Sequence, residues 1–225
     1  MRTLYFDLET IPAQGEDIRA IVASTVKPPA QMKKTDTIAA WEKDGKPQAI
    51  ADAIAKTSFN GAFGHVCCIG WALDDDPVQS VIWPHDVESE AAAIYTFKSI
   101  VSEIVSFAPV IVGHNVVDFD IRFLWQRAFV LGIRMPHWFP RDPKPWGNDI
   151  FDTMTAFAGS RNTISMDNLC AALGVPGKDD MDGSKVAEAW AGGQYERIAA
   201  YCRADVERTR LIYKKMQIAL GEVAA

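Results

Sequence analysis

The segment Leu4-Tyr5-Phe6-Asp7-Leu8-Glu9-Thr10 carries two acids among residues that otherwise belong in a core. Residues 4–8 read as a buried strand. On a strand Asp7 and Glu9, two apart, leave the same face, while Leu8 points the other way, into the core. Two carboxylates on one face at a strand end repel each other unless a cation lies between them. Taken alone, the segment is equally well a solvated strand edge. Two other segments change that balance, because each aims a further acid from a regular element.

In the middle of the chain, His114-Asn115-Val116-Val117-Asp118-Phe119-Asp120 follows the strand-like Val110-Ile111-Val112-Gly113 and leads into a helix predicted over residues 120–131. An acid in a first helical turn is commonly a dipole partner or cap. That is the plain reading of Asp120, but Asp118 also fits a capping role, so the metal role is placed on Asp120, which follows Phe119 in an N-x-x-x-F-D pattern. Asn115 is a candidate hydrogen-bonding partner for substrate, Phe119 a candidate stacking surface for a terminal base, and His114 a candidate contact to substrate or metal-bound water. Near the end, Tyr201-Cys202-Arg203-Ala204-Asp205 lies in a helix predicted over residues 195–221, with Gly221 as C-cap residue. Tyr201 and Asp205 are four apart and share one helix face, one turn from each other. Tyr201 by itself reads as a core residue; its pairing with an acid favours a place in the site.

Between these segments the pattern is α/β. Residues 66–73 and 78–83 read as strands joined by the turn Asp74-Asp75-Asp76-Pro77, and residues 90–107 as a helix with Ile94, Phe97, Ile100, Val101, Ile104 and Val105 on one side. Two stretches interrupt it. Residues 13–60 are long for a connection in a compact domain. They are expected to hold one or two short helices and to act as a cover over the site. Residues 136–148, with Pro136, Pro140, Pro143, Pro145, Trp138 and Trp146, read as a surface loop in which the tryptophans, with Arg141 and Lys144, are candidates to steer a single strand. Asp152 reads as a helix cap or as a residue near the site, and His65, His85 and His137 as structural histidines with no partner evident in the sequence.

Composition narrows the class without deciding the activity. A chain of 225 residues with 48% hydrophobic and 23% charged content is an ordinary globular sequence. No apolar run is long enough to span a bilayer, and nothing at the start reads as a signal peptide. The four cysteines, Cys67, Cys68, Cys170 and Cys202, form no C-x-x-C pair and read as reduced thiols of a cytoplasmic protein. A net charge of −6 argues against a non-specific nucleic-acid binder. The argument weakens if catalytic carboxylates are part of that count and bound cations reverse the local field.

In this order, the three acidic segments resemble the exonuclease motifs of the DEDDy class of 3′–5′ exonucleases. The chain is most similar to predicted exonucleases related to the exonuclease domain of family-B DNA polymerases. The stretches 179–186 and 201–206 are similar to that group, and 165–175 to the helix preceding the third motif in ribonuclease D-like relatives. The sister subclass has a histidine five residues before the last aspartate; Ala200 stands there. The resemblance implies an α/β fold, a ribonuclease H-like mixed β-sheet flanked by helices, in a single exonuclease domain over residues 1–225 with an insertion at about 13–60. It implies that Asp7, Glu9, Asp120 and Asp205 hold two Mg2+ or Mn2+ ions for phosphodiester hydrolysis, and that Tyr201 stands beside the attacking water. Leu8, Thr10, Asn115, Phe119 and His114 are the implied substrate contacts. The implied partner is the 3′ end of a nucleic acid, single-stranded DNA first, in proofreading or repair beside a polymerase or repair protein that the sequence does not identify; no membrane is involved. An exoribonuclease or oligoribonuclease of the same fold, and a binding module that has lost turnover, are the alternatives.

Overall fold

The computed structural model describes residues 2–83, 89–104, 108–144, 147–177 and 181–222. His85, Val105, Pro145, Trp146, Asp179 and Asp180 lie outside the described residues, as does the predicted end of the helix over 90–107.

Among the described residues, five strands form one mixed sheet in the order β3-β2-β1-β4-β5. These are β1 (Thr3–Ile11), β2 (His65–Leu73), β3 (Gln79–Ile82), β4 (Val110–Gly113) and β5 (Ile150–Asp152). The acid-bearing strand is therefore central and not an edge. β1 pairs antiparallel with β2 and parallel with β4. β5, which the sequence reading did not foresee, is a three-residue strand parallel to β4. Opposite Glu9 and Thr10 the register with β2 shifts, Glu9 facing Cys68 and Thr10 facing Val66. Such a bulge re-aims the side chains beside it.

The alternation of β1 sorts its residues between two layers. Leu4, Phe6 and Leu8 join the main core with α4 (Glu90–Ile104) and α5 (Asp120–Leu131). There Phe6 stacks on Phe97 with ring centroids 5.3 Å apart. The opposite face receives the long C-terminal helix α9 (Tyr195–Leu220), through Tyr5 and Val206 at one end and Cys68, Ile198 and Cys202 at the other. Gly221 caps α9 in the left-handed conformation, φ 74°. How closely α9 approaches is set at Gly70, the residue paired with Asp7. A β-carbon there would stand 2.8 Å from Cys202 Sγ, 3.0 Å from Val206 Cγ2 and 3.3 Å from the Cys202 carbonyl oxygen.

On the other layer, Glu90 is completely buried at the start of α4. Its carboxylate accepts from the Val66 amide at 2.9 Å and from Arg127 Nε and Nη2 at 2.8 and 2.6 Å, and lies 3.0 Å from His65 Nδ1. Burial alone would raise its pKa, but the hydrogen bonds from His65 and Arg127 hold it below the ordinary glutamate value. His65 thus has a partner 25 residues away, and Arg127 ties α5 to the start of β2 and, through Gly61, to the loop before it.

The stretch 13–60, expected as an insertion, holds more structure than expected: α1 (Glu16–Thr25), α2 (Thr35–Asp44), α3 (Lys46–Ala55) and a 3-10 turn, Lys56–Phe59. The turn is bolted to the end of β1. Thr57 Oγ1 accepts from the Ala13 amide at 2.8 Å, and Thr10 Oγ1 donates to the Ser58 carbonyl at 2.8 Å. The 136–144 stretch is also less superficial than a surface loop. Trp138 and Phe139 are buried, Trp138 Nε1 donates to Ser102 Oγ, and the Trp125 indole donates to the Pro140 carbonyl. Trp138 is consequently part of the core and not a free stacking surface, whereas Phe129 of α5 is exposed. The remaining helices are α6 (Thr153–Ala158), α7 (Met166–Leu173) and α8 (Val186–Ala191).

Two substitutions test this account. Gly70→Ala is expected to destabilise by about 1–3 kcal/mol through overpacking, and combining it with Cys202→Ala should recover part of the loss in thermal melts; an additive double variant would contradict the close approach. Arg127→Met strands the buried Glu90 charge and should cost about 3–5 kcal/mol, read by urea denaturation.

Candidate active site

The carboxyl end of β1, the start of α5 and the middle of α9 meet at one place. Asp7 and Glu9 project from β1 toward α9. Ligand atoms of Asp7, Glu9 and Cys202 lie within 4.8 Å of one another, a spacing that a single metal ion can bridge. Cys202 Sγ sits 3.4 Å from Asp7 Oδ2, and Cys67 Sγ sits 3.4 Å from the Glu9 carbonyl. Asp120 enters from the first turn of α5, and its Oδ1 accepts from the Leu8 amide at 2.9 Å, between the two β1 acids in sequence. Asp205 comes from α9, one turn beyond Tyr201, and hydrogen-bonds with it. A buried ion pair from Arg208 Nη1 to Asp205 Oδ1, 2.7 Å, orients that carboxylate. Arg208 is held in turn by the Gly177 carbonyl.

This crowding leaves its mark on protonation. Burial first, and then the charges of Asp120 and Asp205, hold the Asp7 carboxyl well above the ordinary aspartate value. Burial pushes Asp120 up to about 8 against the opposing hydrogen bond from Leu8, with Asp152 and Asp205 adding to the rise. Burial, followed by the charges of Glu9 and Asp205, drives the Tyr201 phenol above its usual value, so it keeps its proton at neutral pH. Burial likewise keeps Cys202 a thiol, hydrogen-bonded to Cys68. Clustered, desolvated carboxylates of this kind are a donor set suited to hard divalent cations, whose oxygen ligands they supply and whose charge relieves their repulsion.

A cleft of about 580 Å³ opens beside Glu9. Leu8, Thr10 and Phe119 line it, together with Lys56, Ser58 and Phe59 of the insertion and Ser184 and Ala187 from the segment before α9. The other two implied contacts stand apart from this lining. Asn115 occupies the left-handed region, φ 63°, at the turn after β4, and its amide donates to Asp152 Oδ1 at 3.0 Å. The His114 ring nitrogens lie 3.0 Å from Thr153 Oγ1 and 3.0 Å from the Ile164 carbonyl. Asp152 accepts from Asn115 and Val117 and also caps α6 through the amides of Met154 and Thr155. It shapes the turn that delivers Asp120. Asp118 is exposed and pairs with Arg122 one turn on.

Gly70 and Arg208 are not singled out by the sequence, and Cys202 reads there as a reduced thiol and not as a neighbour of the site acids. An isolated glycine inside a strand signals close backbone approach, and Arg208 stands three residues beyond Asp205 on the same helix; those signals could have found two of the three. All four cysteines are buried, and none forms a disulfide.

Without a cation, the elevated carboxyls set the pH dependence of stability. Asp7 and Asp120 bind protons more tightly folded than unfolded. Their contribution is therefore greatest below the ordinary aspartate value and is lost as pH rises, for Asp120 through about 8. The metal-free protein should melt lower at pH 8 than at pH 5.5, to the extent that these two groups govern the slope, and Mg2+ or Mn2+ should raise the pH 8 melting temperature more. Asp120→Asn keeps an acceptor for the Leu8 amide while removing the charge. It should raise the metal-free melting temperature at pH 8, by about 2–4 °C for each kcal/mol relieved. A fall would contradict the crowding.

Comparison with known proteins agrees with this geometry at the level of fold and family. Residues 62–225 match the model of a family described as predicted 3′–5′ exonucleases related to the exonuclease domain of PolB; the match begins after β1 and the insertion. No curated protein matches the chain. Among solved structures, the family B DNA polymerase from the hyperthermophilic archaeon Pyrobaculum calidifontis is similar in fold, with a TM-score of 0.58 and 16% identity. The similarity covers 97% of this chain and 24% of the polymerase, so the chain spans about a quarter of that protein's length. No helix among the described residues is long and apolar enough to cross a membrane. The chain belongs to the family of predicted 3′–5′ exonucleases related to the exonuclease domain of PolB.

Proposed function

We propose that the protein is a metal-dependent 3′–5′ exonuclease that hydrolyses the terminal phosphodiester of single-stranded DNA and releases nucleoside 5′-monophosphates. The observation that carries this reading is the convergence of Asp7, Glu9, Asp120, Asp205 and Tyr201 on one spot beside the cleft, from three elements well separated in sequence, β1, α5 and α9. The family to which residues 62–225 belong supports the direction of digestion, and its relation to a DNA polymerase domain supports DNA as the polymer.

In this reading Asp7, Glu9, Asp120 and Asp205 hold a pair of Mg2+ or Mn2+ ions. Bound divalent cations supply charge neutralisation at the scissile phosphate and a lowered pKa for the attacking water. The protein's own groups do the rest. Arg208 fixes the Asp205 carboxylate, and the Leu8 amide fixes Asp120. The Tyr201 phenol, protonated and hydrogen-bonded with Asp205, orients the water through its hydroxyl and does not remove a proton. Leu8, Thr10 and Phe119 receive the terminal nucleotide in the cleft. His114 and Asn115 act on the substrate through the shape of the β4–α5 turn.

A time course on 5′-labelled single-stranded DNA and RNA, with Mg2+, Mn2+ or chelator, tests the proposal. The expected result is a ladder shortening from the 3′ end of DNA, absent with chelator. Asp7→Ala and Asp205→Ala should abolish it, while Tyr201→Phe should slow it by about 10-fold, the scale of one lost orienting hydrogen bond, without changing metal uptake. Wild-type rates in either alanine variant would overturn the assignment.

A further inference from the structure

One wall of the cleft comes from the insertion. Ala55, Lys56, Ser58 and Phe59 line it together with Leu8 and Glu9, and they precede the residues that the family model matches. Phe59 is 72% exposed, more than any other large hydrophobic side chain among the described residues. A single exposed ring is ordinary on a protein surface. This one differs because its backbone is fixed beside an acidic site. Thr57 is buried and bonded to the Ala13 amide and the Ile54 carbonyl. Ser58 is tied to Thr10 of β1. Gly64 lets the turn seat closely, since a β-carbon there would stand 2.3 Å from the Thr57 carbonyl oxygen. The ring of Phe59 meets Phe119 edge-on, centroids 6.3 Å apart and planes at 60°.

We infer that Phe59 is the stacking platform for the 3′-terminal nucleobase, a subsite that the insertion adds to the site. This rests on the exonuclease reading above. The cleft, about 580 Å³ and walled by Pro12, Ala55 and Ala187, is of ligand-pocket size. An aromatic ring presented there suits a flat base of any identity, because every base has a π-face. The same cleft is lined by the buried Glu9 and the exposed Lys56, an acid of the site and a cation for the strand's charge.

The test uses single-stranded DNA carrying 2-aminopurine at its 3′ end, whose fluorescence is quenched on stacking. Binding is read in Ca2+, and turnover in Mg2+ or Mn2+. Wild type should bind with quenching. Phe59→Ala should bind about 5- to 150-fold more weakly, the range for losing one aromatic–base stack, and lose the quenching. Phe59→Trp should restore both, and melting temperatures should be unchanged because the side chain is exposed. With an abasic 3′ nucleotide, wild type should fall to the affinity of Phe59→Ala. Phe59→Ala binding, quenching and turning over like wild type, in a protein that digests DNA, overturns the subsite and leaves the exonuclease reading standing. Phe59-dependent stacking in a protein that never cleaves upholds the subsite and overturns the exonuclease reading. Neither binding nor cleavage overturns both.

Discussion

The close approach of α9 to the central strands at Gly70 is the constraint on which the site depends. With no side chain at that point of β2, the helix can settle until Cys202 Sγ touches Asp7, its neighbour across the sheet. Tyr201 and Asp205 lie on either side of Cys202 along the helix, so the same contact carries them to the two acids of β1. A larger residue at position 70 would lift all three away together. The third element, α5, arrives independently. Its start is set by the turn that Asp152 braces and by the hydrogen bond from the Leu8 amide to Asp120.

That geometry has an electrostatic consequence. Four carboxylates converge, Glu9, Asp120 and Asp205 buried and Asp7 half-buried, and Asp205 pairs with the buried Arg208. The upward shifts of Asp7 and Asp120 follow from this arrangement. Elsewhere the same fold neutralises a buried acid fully, as Glu90 shows with Arg127, His65 and the Val66 amide around it. Glu90 is satisfied by the protein, whereas Asp7 and Asp120 keep raised carboxyls, and in the proposed reading a bound cation relieves them.

Much of this was legible in the chain. β1, β2, β4, α5 and α9 follow from apolar runs, periodicity and cap residues, and the four acids and Tyr201 stand out through their spacing on those elements together with the resemblance to the exonuclease motifs. What stayed hidden depends on contacts between distant segments. The partners of His65 are 25 and 62 residues away, and no local pattern pairs them. Trp138 lies in a proline-rich stretch that reads as surface, yet it packs under α4 through Ser102. β5 is three residues long and exists because β4 offers it an edge. The insertion's polar composition gave its helices away only in part, and the contact of its last turn with β1 not at all. Its role as a wall of the cleft became visible once Thr57 and Ser58 were seen bonded to the end of the acid-bearing strand.

The central claim is that the fold gathers these acids in order to hold divalent cations. Titration of the chain with Mn2+, followed by electron paramagnetic resonance of the free ion, tests it most directly. The account predicts saturable uptake of two Mn2+ per chain, competed by Mg2+ and lost when Asp7 and Asp205 are both changed to asparagine. No uptake by a protein that melts cooperatively, or uptake that survives the double change, would contradict it.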